Sequence, residues 1–332
     1  MRFLSVLVAT GAVSPVAAGV IAASASLSID KSEACINPPK RVEWRQLEAS
    51  QQQSYIDAVL CLKTKPSRTG LETSLYDDFP HVHFNLNKYI HGGAPFLPWH
   101  RYFGYVYLNA LRECGYTGPG TYWDWSLDTA GLRHSPVMSD VNGFGGDGSS
   151  TRTETSQDGR TIRCVDSGPF SNLRPEYLAI DPVTMVGGGH CLWRNLPEVS
   201  EPEAFETMSK FFGPDSLAEL HTAGNWTSFA GGLEGGPHGL IHACLGGDMN
   251  PTTSPNEPLF FLHHAQVDRL WWLWQQEDES RLSEYNGKAI HYNQTEATEV
   301  SLDDILMMGG LADDLTVRDV MSTQNGPLCY AY

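Results

Sequence analysis

The sequence predicts a mainly α fold: a helical-bundle core wrapped by long loops and a few short strands. Apolar residues recur at helical spacing in several separate segments. Pro98 and Pro237 open two of those segments, and Gly92-Gly93, Gly115 and Gly246-Gly247 close three. Residues 139–200 differ, with Gly-Gly, Ser-Ser and Thr-rich stretches and few apolar runs, which predicts long loops with short elements.

Residues 41–62 read as the first helix, with Ser50 and Gln53 as a capping-box pattern and Tyr55, Ile56, Val59 and Leu60 on one apolar face. A second covers the segment around His83 to Tyr89 and ends near Gly92-Gly93. Pro98 opens a third, WHRYFGYVYLNALRE, which stops at Gly115. Pro237 opens a short helix closed by Gly246-Gly247. Asn256 caps the last, EPLFFLHHAQVDRLWWLWQQ, with Pro258 in its first turn. No repeat at solenoid spacing and no domain linker interrupts the pattern.

The 332 residues suffice to bury a full core. The formal charge of −17 argues against nucleic acid or an anionic membrane surface as the main partner, because both call for Lys/Arg clusters. No run of 18 apolar residues follows the N-terminus. Residues 1–25 carry one basic residue, Arg2, then an apolar stretch and small residues, the grammar of a secretory signal peptide. This leaves 26–332 as a single exported domain. Two sequons, at Asn225 and Asn293, agree with export. Seven cysteines follow the leader and none forms C-x-x-C; most should pair in an oxidising compartment, and at least one is left over. The pairing is not readable from spacing.

The 12 histidines are clustered. His238 and His242 stand four apart, so both imidazoles leave one helix face. His264 lies on the aromatic helix, sharing a face with Phe260 and Asp268. A carboxylate one turn from a ligand histidine either accepts its second ring N–H or pairs with a nearby arginine. In the first half, His100 begins a segment, FLPWHRYF, too aromatic for a solvent-exposed histidine, and His91 precedes Gly92-Gly93. His81 and His83 compete for a third place. Each group therefore offers three imidazoles and no thiolate, a donor set suited to Zn, Cu, Fe or Ni. H-E-x-x-H is absent, which counts against a metalloprotease. His134 and His291 read as exposed, His221 as a cap or partner, His190 as part of a solvated loop, and the Trp271-Trp272-Trp274 cluster as core.

The segments HFNLNKYIHGGAPFLPWHRYF, GTYWDWSLD, GGLEGGPHGLIH and NEPLFFLHHAQVDRLWW occur in this order, and together they resemble the tyrosinase and catechol oxidase family of coupled dicopper proteins. The likeness runs from Arg41 to Tyr332. It implies two copper ions, one taking His83, His91 and His100, the other His238, His242 and His264. His83 is preferred to His81 by the family's spacing, and His263 becomes a neighbour of the ligand set. Phe260 would pack over the metal pair, and Asp268 with Arg101 would brace it. Arg41 and Tyr332 would meet in a cation–π contact joining the chain ends.

The resemblance further implies copper-dependent oxidation of o-diphenols to o-quinones, with O2 reduced to water and small phenols as substrates. Neutral imidazoles hold both copper oxidation states, so the metals supply the redox chemistry and the protein sets geometry and access. Glu234, in E-x-x-P-H, corresponds to the family's water-holding glutamate. Gly239 stands where monophenol-hydroxylating members often carry Asn, and Ala243 offers no polar contact, so diphenol oxidation is favoured. Thr252 falls near the family's gate position, and its small size suggests an open entrance. Tyr89 stands where many members carry the cysteine of a thioether. A tyrosinase with monophenol hydroxylase activity, an o-aminophenol oxidase and, more remotely, a haemocyanin-like O2 carrier are the alternatives. The chain stops at Cys329-Tyr330-Ala331-Tyr332, where the family's catalytic domain ends, so a single domain without the C-terminal shielding domain is the expectation.

Overall fold

The computed structural model describes residues 35–332. The leader expected over residues 1–25 lies outside them. Strand β1 (Val42–Glu43) runs into a 3₁₀ turn and helix α1 (Ala49–Leu62); α2 (Leu75–Ile90) and α3 (Phe96–Glu113) follow, then β2 (Thr121–Tyr122), which pairs in parallel with β1. The first expected helix is therefore shorter at its start. Its capping box is Glu48 with Gln51 rather than Ser50 with Gln53, because the chain is still extended at Glu48. Helix α2 begins well before His83. Ser74 and Asp77 form a reciprocal cap, and Pro80 is tolerated inside at the cost of one backbone hydrogen bond.

The loop-rich region holds two hairpins, β3 (Gly148–Thr155) with β4 (Thr161–Val165) and β5 (Leu178–Asp181) with β6 (Thr184–Val186). Short helices α4 (Pro197–Ser200), α5 (Pro202–Ser209), α6 (Pro214–His221) and α7 (Trp226–Leu233) lead to a π-type turn at Glu234–His238 and helix α8 (Gly239–Leu245). Each of α4, α5 and α6 starts with Pro, whose missing N–H costs nothing in a first turn. The last long helix, α9 (Phe260–Gln276), starts four residues after Asn256. Asn256 is not its cap: it sits in a 3₁₀ turn and donates from Nδ2 to the Tyr177 carbonyl at 2.6 Å. Strands β7 (Lys288–Ile290) and β8 (Ala297–Glu299) form a hairpin, β9 (Ile305–Leu306) pairs with β10 (Leu315–Thr316), and α10 (Val317–Val320) closes the order.

One hydrophobic core runs through α1, α2, α3 and α9, with Trp44, Trp99, Trp123, Trp125, Trp226, Trp271 and Trp274 all fully buried. The tryptophans at 271 and 274 are thus core, and Trp272 is half-buried against Tyr332. Among the described residues no helix is long and apolar enough to cross a membrane. Three disulfides form, Cys35–Cys329, Cys61–Cys114 and Cys164–Cys191, leaving Cys244 free and buried. Burial pushes the Cys244 thiol up to about 12, so it is neutral and inert.

The two ends of the described residues meet on the core. Arg41 lies 3.7 Å over the ring of Tyr330 and donates from Nη1 to the Tyr332 hydroxyl at 2.8 Å and to Asp268 Oδ2 at 3.2 Å. The expected cation–π contact with Tyr332 is present at 5.5 Å, and Tyr330 is a second, nearer partner.

Candidate metal centre

Four helices aim histidines at one buried point. His83 projects from the middle of α2, His91 caps that helix, and His100 lies in the first turns of α3. One candidate ligand nitrogen from each lies within 4.8 Å of the others. His81, two residues from His83, faces Tyr177 at 5.2 Å instead and does not join them. A second group sits opposite: His238 closing the π-type turn, His242 on α8, and His263 and His264 on α9, again with candidate nitrogens within 4.8 Å. The rings of His100 and His264 stack across the gap at 4.3 Å.

The hydrogen bonds fix which nitrogen faces inward. Nδ1 of His91 and His100 donates to the carbonyl four residues back in the chain, Asn87 at 3.2 Å and Phe96 at 2.8 Å. Nδ1 of His238 likewise donates to the Glu234 carbonyl at 2.9 Å. Nδ1 of His83 donates to the Thr252 carbonyl at 2.7 Å, and Nδ1 of His242 to the Met249 carbonyl at 2.6 Å. A proton held on Nδ1 leaves an Nε2 lone pair pointing inward, as metal-bound imidazoles require. The Nε2 atoms of His238 and His242, and both ring nitrogens of His263 and His264, are buried without a partner, while Nε2 of His83 and His100 face one another at 3.4 Å. Orphaned acceptors of this kind need an explanation, and a cation supplies one.

Burial, reinforced by neighbouring imidazoles, holds His83, His100, His238, His263 and His264 well below the usual histidine range. His91 and His242 fall to about 4, again through burial. All seven are therefore neutral at pH 7, the form that binds a metal.

His264 is oriented by packing. Phe260 lies 4.2 Å from its ring and also borders His83, at 5.3 Å. His263 contacts His238 and His242 but turns towards Trp125 rather than towards the first group. Asp268 does not reach His264. It accepts from Arg101 Nε at 2.5 Å, from Arg41, and from the hydroxyls of Tyr330 and Tyr332 at 2.7 and 2.6 Å. Burial works against its charge, but Arg101 and Arg41 hold its carboxyl below the usual range. Since Arg101 follows His100 and Asp268 lies one turn after His264, this ion pair ties α3 to α9 directly behind the histidines.

At the rim, Glu234 Oε1 accepts the Gly92 N–H at 2.7 Å, next to His91. Burial pushes its carboxyl up to about 7. It borders an open cavity of about 490 Å³ lined by Gly92, Gly93, Trp226, Gly235 and Lys288. Gly239 is helical, and a Cβ there would meet only the Glu234 carbonyl, at 3.4 Å. Ala243 is exposed and Thr252 half-buried. What Thr252 brings to the histidines is its carbonyl, a role its side-chain identity does not announce.

Sequence reasoning also missed Phe96, whose ring lies 4.6 Å from His238, and Met249, whose carbonyl orients His242. The aromatic run FLPWHRYF carries a signal for the first; a backbone acceptor leaves none. His190 is not in a solvated loop: it is 1% exposed, with Nε2 2.7 Å from Asp248 Oδ1. Burial opposes its charge, yet Asp248 prevails and raises its pKa. His291 is partly buried near Asp304, His221 pairs with Glu277 at 3.6 Å, and His134 is exposed.

This geometry has counterparts. The common central domain of tyrosinase matches residues 73–277. Tyrosinase ustQ of Aspergillus flavus is 41% identical over 300 residues, covering 90% of this chain and 80% of that protein. N-acetyl-6-hydroxytryptophan oxidase ivoB of Emericella nidulans is 30% identical, covering 89% and 92%. A polyphenol oxidase from Thermothelomyces thermophila, solved as a Gly→Asn variant, superposes with a TM-score of 0.74 at 30% identity, covering 89% of this chain and 88% of its own. A tyrosinase from Burkholderia thailandensis shares the fold at a TM-score of 0.57 and 19% identity. Two histidine groups with inward Nε2 atoms, set in a domain matched over this length, leave one conclusion: the chain belongs to the tyrosinase family, whose members are copper oxidoreductases acting on phenols with O2.

Proposed function

We propose that residues 26–332 form one secreted catalytic domain that oxidises o-diphenols to o-quinones, two diphenols and one O2 giving two quinones and two waters. The observation that carries this reading is the set of buried, neutral imidazoles with Nδ1 tied to carbonyls and Nε2 turned inward. His83, His91 and His100 would hold one copper, and His238, His242 and His264 the other. When bound, the two ions supply the electrons that reduce O2. His264, rather than His263, is the third donor of its group because it alone stacks on His100 and so faces both groups.

The chain's own residues prepare that chemistry. The five Nδ1–H···O=C bonds fix five of the six rings before a metal arrives, and packing places His264, so little reorganisation accompanies binding. Phe260 and Phe96 keep the interior apolar against His264 and His238. Glu234 has Oε1 committed to Gly92, and its second oxygen is available to hold a water beside an entering phenol. Gly239 adds no hydrogen bond to such a water, which favours substrates whose hydroxyl is already acidic and disfavours monophenols. Arg101 and Asp268 brace the pair. The three disulfides suit an oxidising compartment, and the exposed Asn225 and Asn293 are the glycan acceptors.

The test is copper quantitation on purified protein with parallel O2 uptake on catechol, a monophenol, o-aminophenol and a hydroxyindole, the last suggested by the name of one relative. Two coppers per chain and fastest uptake on catechol are expected. Rapid monophenol hydroxylation without added diphenol would move the assignment to a tyrosinase. Uptake confined to o-aminophenol would move it to an aminophenol oxidase, and reversible oxygenation without turnover to a carrier.

A further inference from the structure

One loop, residues 246–256, serves both histidine groups. Its Met249 carbonyl orients His242 in one group, and its Thr252 carbonyl orients His83 in the other. A loop whose backbone sets two rings needs fixed ends, and both ends are fixed by the same short segment, 190–194. At the near end, Asp248 Oδ1 accepts from His190 Nε2 at 2.7 Å, and Oδ2 accepts the Trp193 N–H at 3.1 Å. The Asp248 N–H donates back to the Trp193 carbonyl at 3.0 Å. At the far end, Arg194 makes a two-pronged salt bridge to Glu257, at 2.8 and 2.7 Å, with both side chains fully buried. The backbones press so close that a Cβ on Gly247, already at φ +53°, would sit 2.1 Å from the Trp193 carbonyl.

Segment 190–194 is itself anchored. Cys191 is bonded to Cys164 of β4, the His190 N–H donates to the Pro175 carbonyl at 3.0 Å, and the Leu192 carbonyl accepts the Val165 N–H at 2.8 Å. His190 and Asp248 are 1% and 0% exposed. Buried ion pairs are weak stabilisers, often replaceable by apolar residues without loss. A role in geometry accounts for this one better than a role in stability.

We propose that His190 and Asp248 are positioning residues for the metal centre, clamping loop 246–256 so that one rigid backbone segment sets a ring in each histidine group. The inference rests on the reading that these histidines hold copper. Losing a partner that orients ligands typically weakens metal binding about 10- to 100-fold. His190→Leu removes the donor to Asp248. Asp248→Asn keeps the size and the acceptor for Trp193, and covers the case in which the leucine variant does not fold. His190→Gln retains an N–H within reach of Asp248.

The experiment titrates copper against a competing chelator in the full chain and compares melting temperatures with and without copper. His190→Leu and Asp248→Asn should weaken copper binding about 10-fold or more and shrink the copper-induced rise in melting temperature, with His190→Gln restoring most of both. Unchanged copper affinity, or an equal fall in melting temperature of apo and loaded protein, would overturn the proposal by showing a structural role alone. Wild-type protein that takes up no copper would instead remove the dicopper reading. Wild-type binding matched by the variants removes only the clamp.

Discussion

The two histidine groups face each other but are built differently. In the first, all three rings are tied through Nδ1, two of them to carbonyls four residues back in the chain. In the second, His238 and His242 are tied, the latter to a loop carbonyl, while His264 has no hydrogen bond and is placed by Phe260 and His100. A fourth imidazole, His263, stands beside it with both nitrogens free of partners. A ring fixed by its own helix needs only that helix to fold. A ring fixed by packing needs the whole core, so the second group is the more deformable.

The comparison can be broken most sharply at the adjacent pair on α9. His264→Ala should abolish catechol turnover and cut bound copper from two ions to one, whereas His263→Ala should leave two; copper analysis and O2 uptake read both. Equal loss in the two variants would mean the second group has no preferred third donor. The brace between the groups comes next. Asp268→Ala leaves Arg101 and Arg41 buried without their carboxylate and should cost about 3–5 kcal/mol in denaturant unfolding. Such a loss should be measurable in the metal-free protein, since the brace does not depend on copper.

Acid should then separate the apo protein from the loaded one. The histidines of the centre have folded pKa values depressed from 6.5, to about 4 for His91 and His242. Between those limits the unfolded chain binds more protons, so apo stability should fall as pH drops from about 6.5 towards 4. Melting curves across that window check the sign, and bound copper should delay the fall until the metal is released. Smaller is the effect of Gly239→Asn. The backbone there is helical and open, so the side chain fits and should raise the monophenol-to-diphenol rate ratio several-fold; an unchanged ratio would sever this position from substrate choice. Least of all, Arg41→Ala should lower stability by about 1–2 kcal/mol through loss of the contact with Tyr330, read as a modest fall in melting temperature.

The long elements were legible because periodicity and punctuation agree there: α3 and α9 lie within two or three residues of their expected positions. So were the histidine groups, since imidazoles inside aromatic helices have few other uses. Helix starts were less legible. Ser50 and Glu48 both satisfy a capping pattern, and only the path of the preceding chain chooses between them. Pro80 concealed the first half of α2. The disulfide pairing and the burial of His190 depend on which loops meet in space, and local sequence does not encode that. Backbone acceptors such as Met249 and Thr252 lie beyond any reading of side chains, because every residue carries a carbonyl.

The bond between Cys35 and Cys329 spans 294 positions. Its effect is topological: nearly the whole folded domain is a covalent ring. A protease that cuts once anywhere inside the ring opens it without releasing a fragment, and the long loops of residues 139–200 are where such a cut would fall. The nicked molecule keeps both histidine groups on one covalent framework, so a single cleavage need not separate the helices that hold them. Wherever proteases reach the protein, that converts an otherwise fatal scission into a tolerable scar.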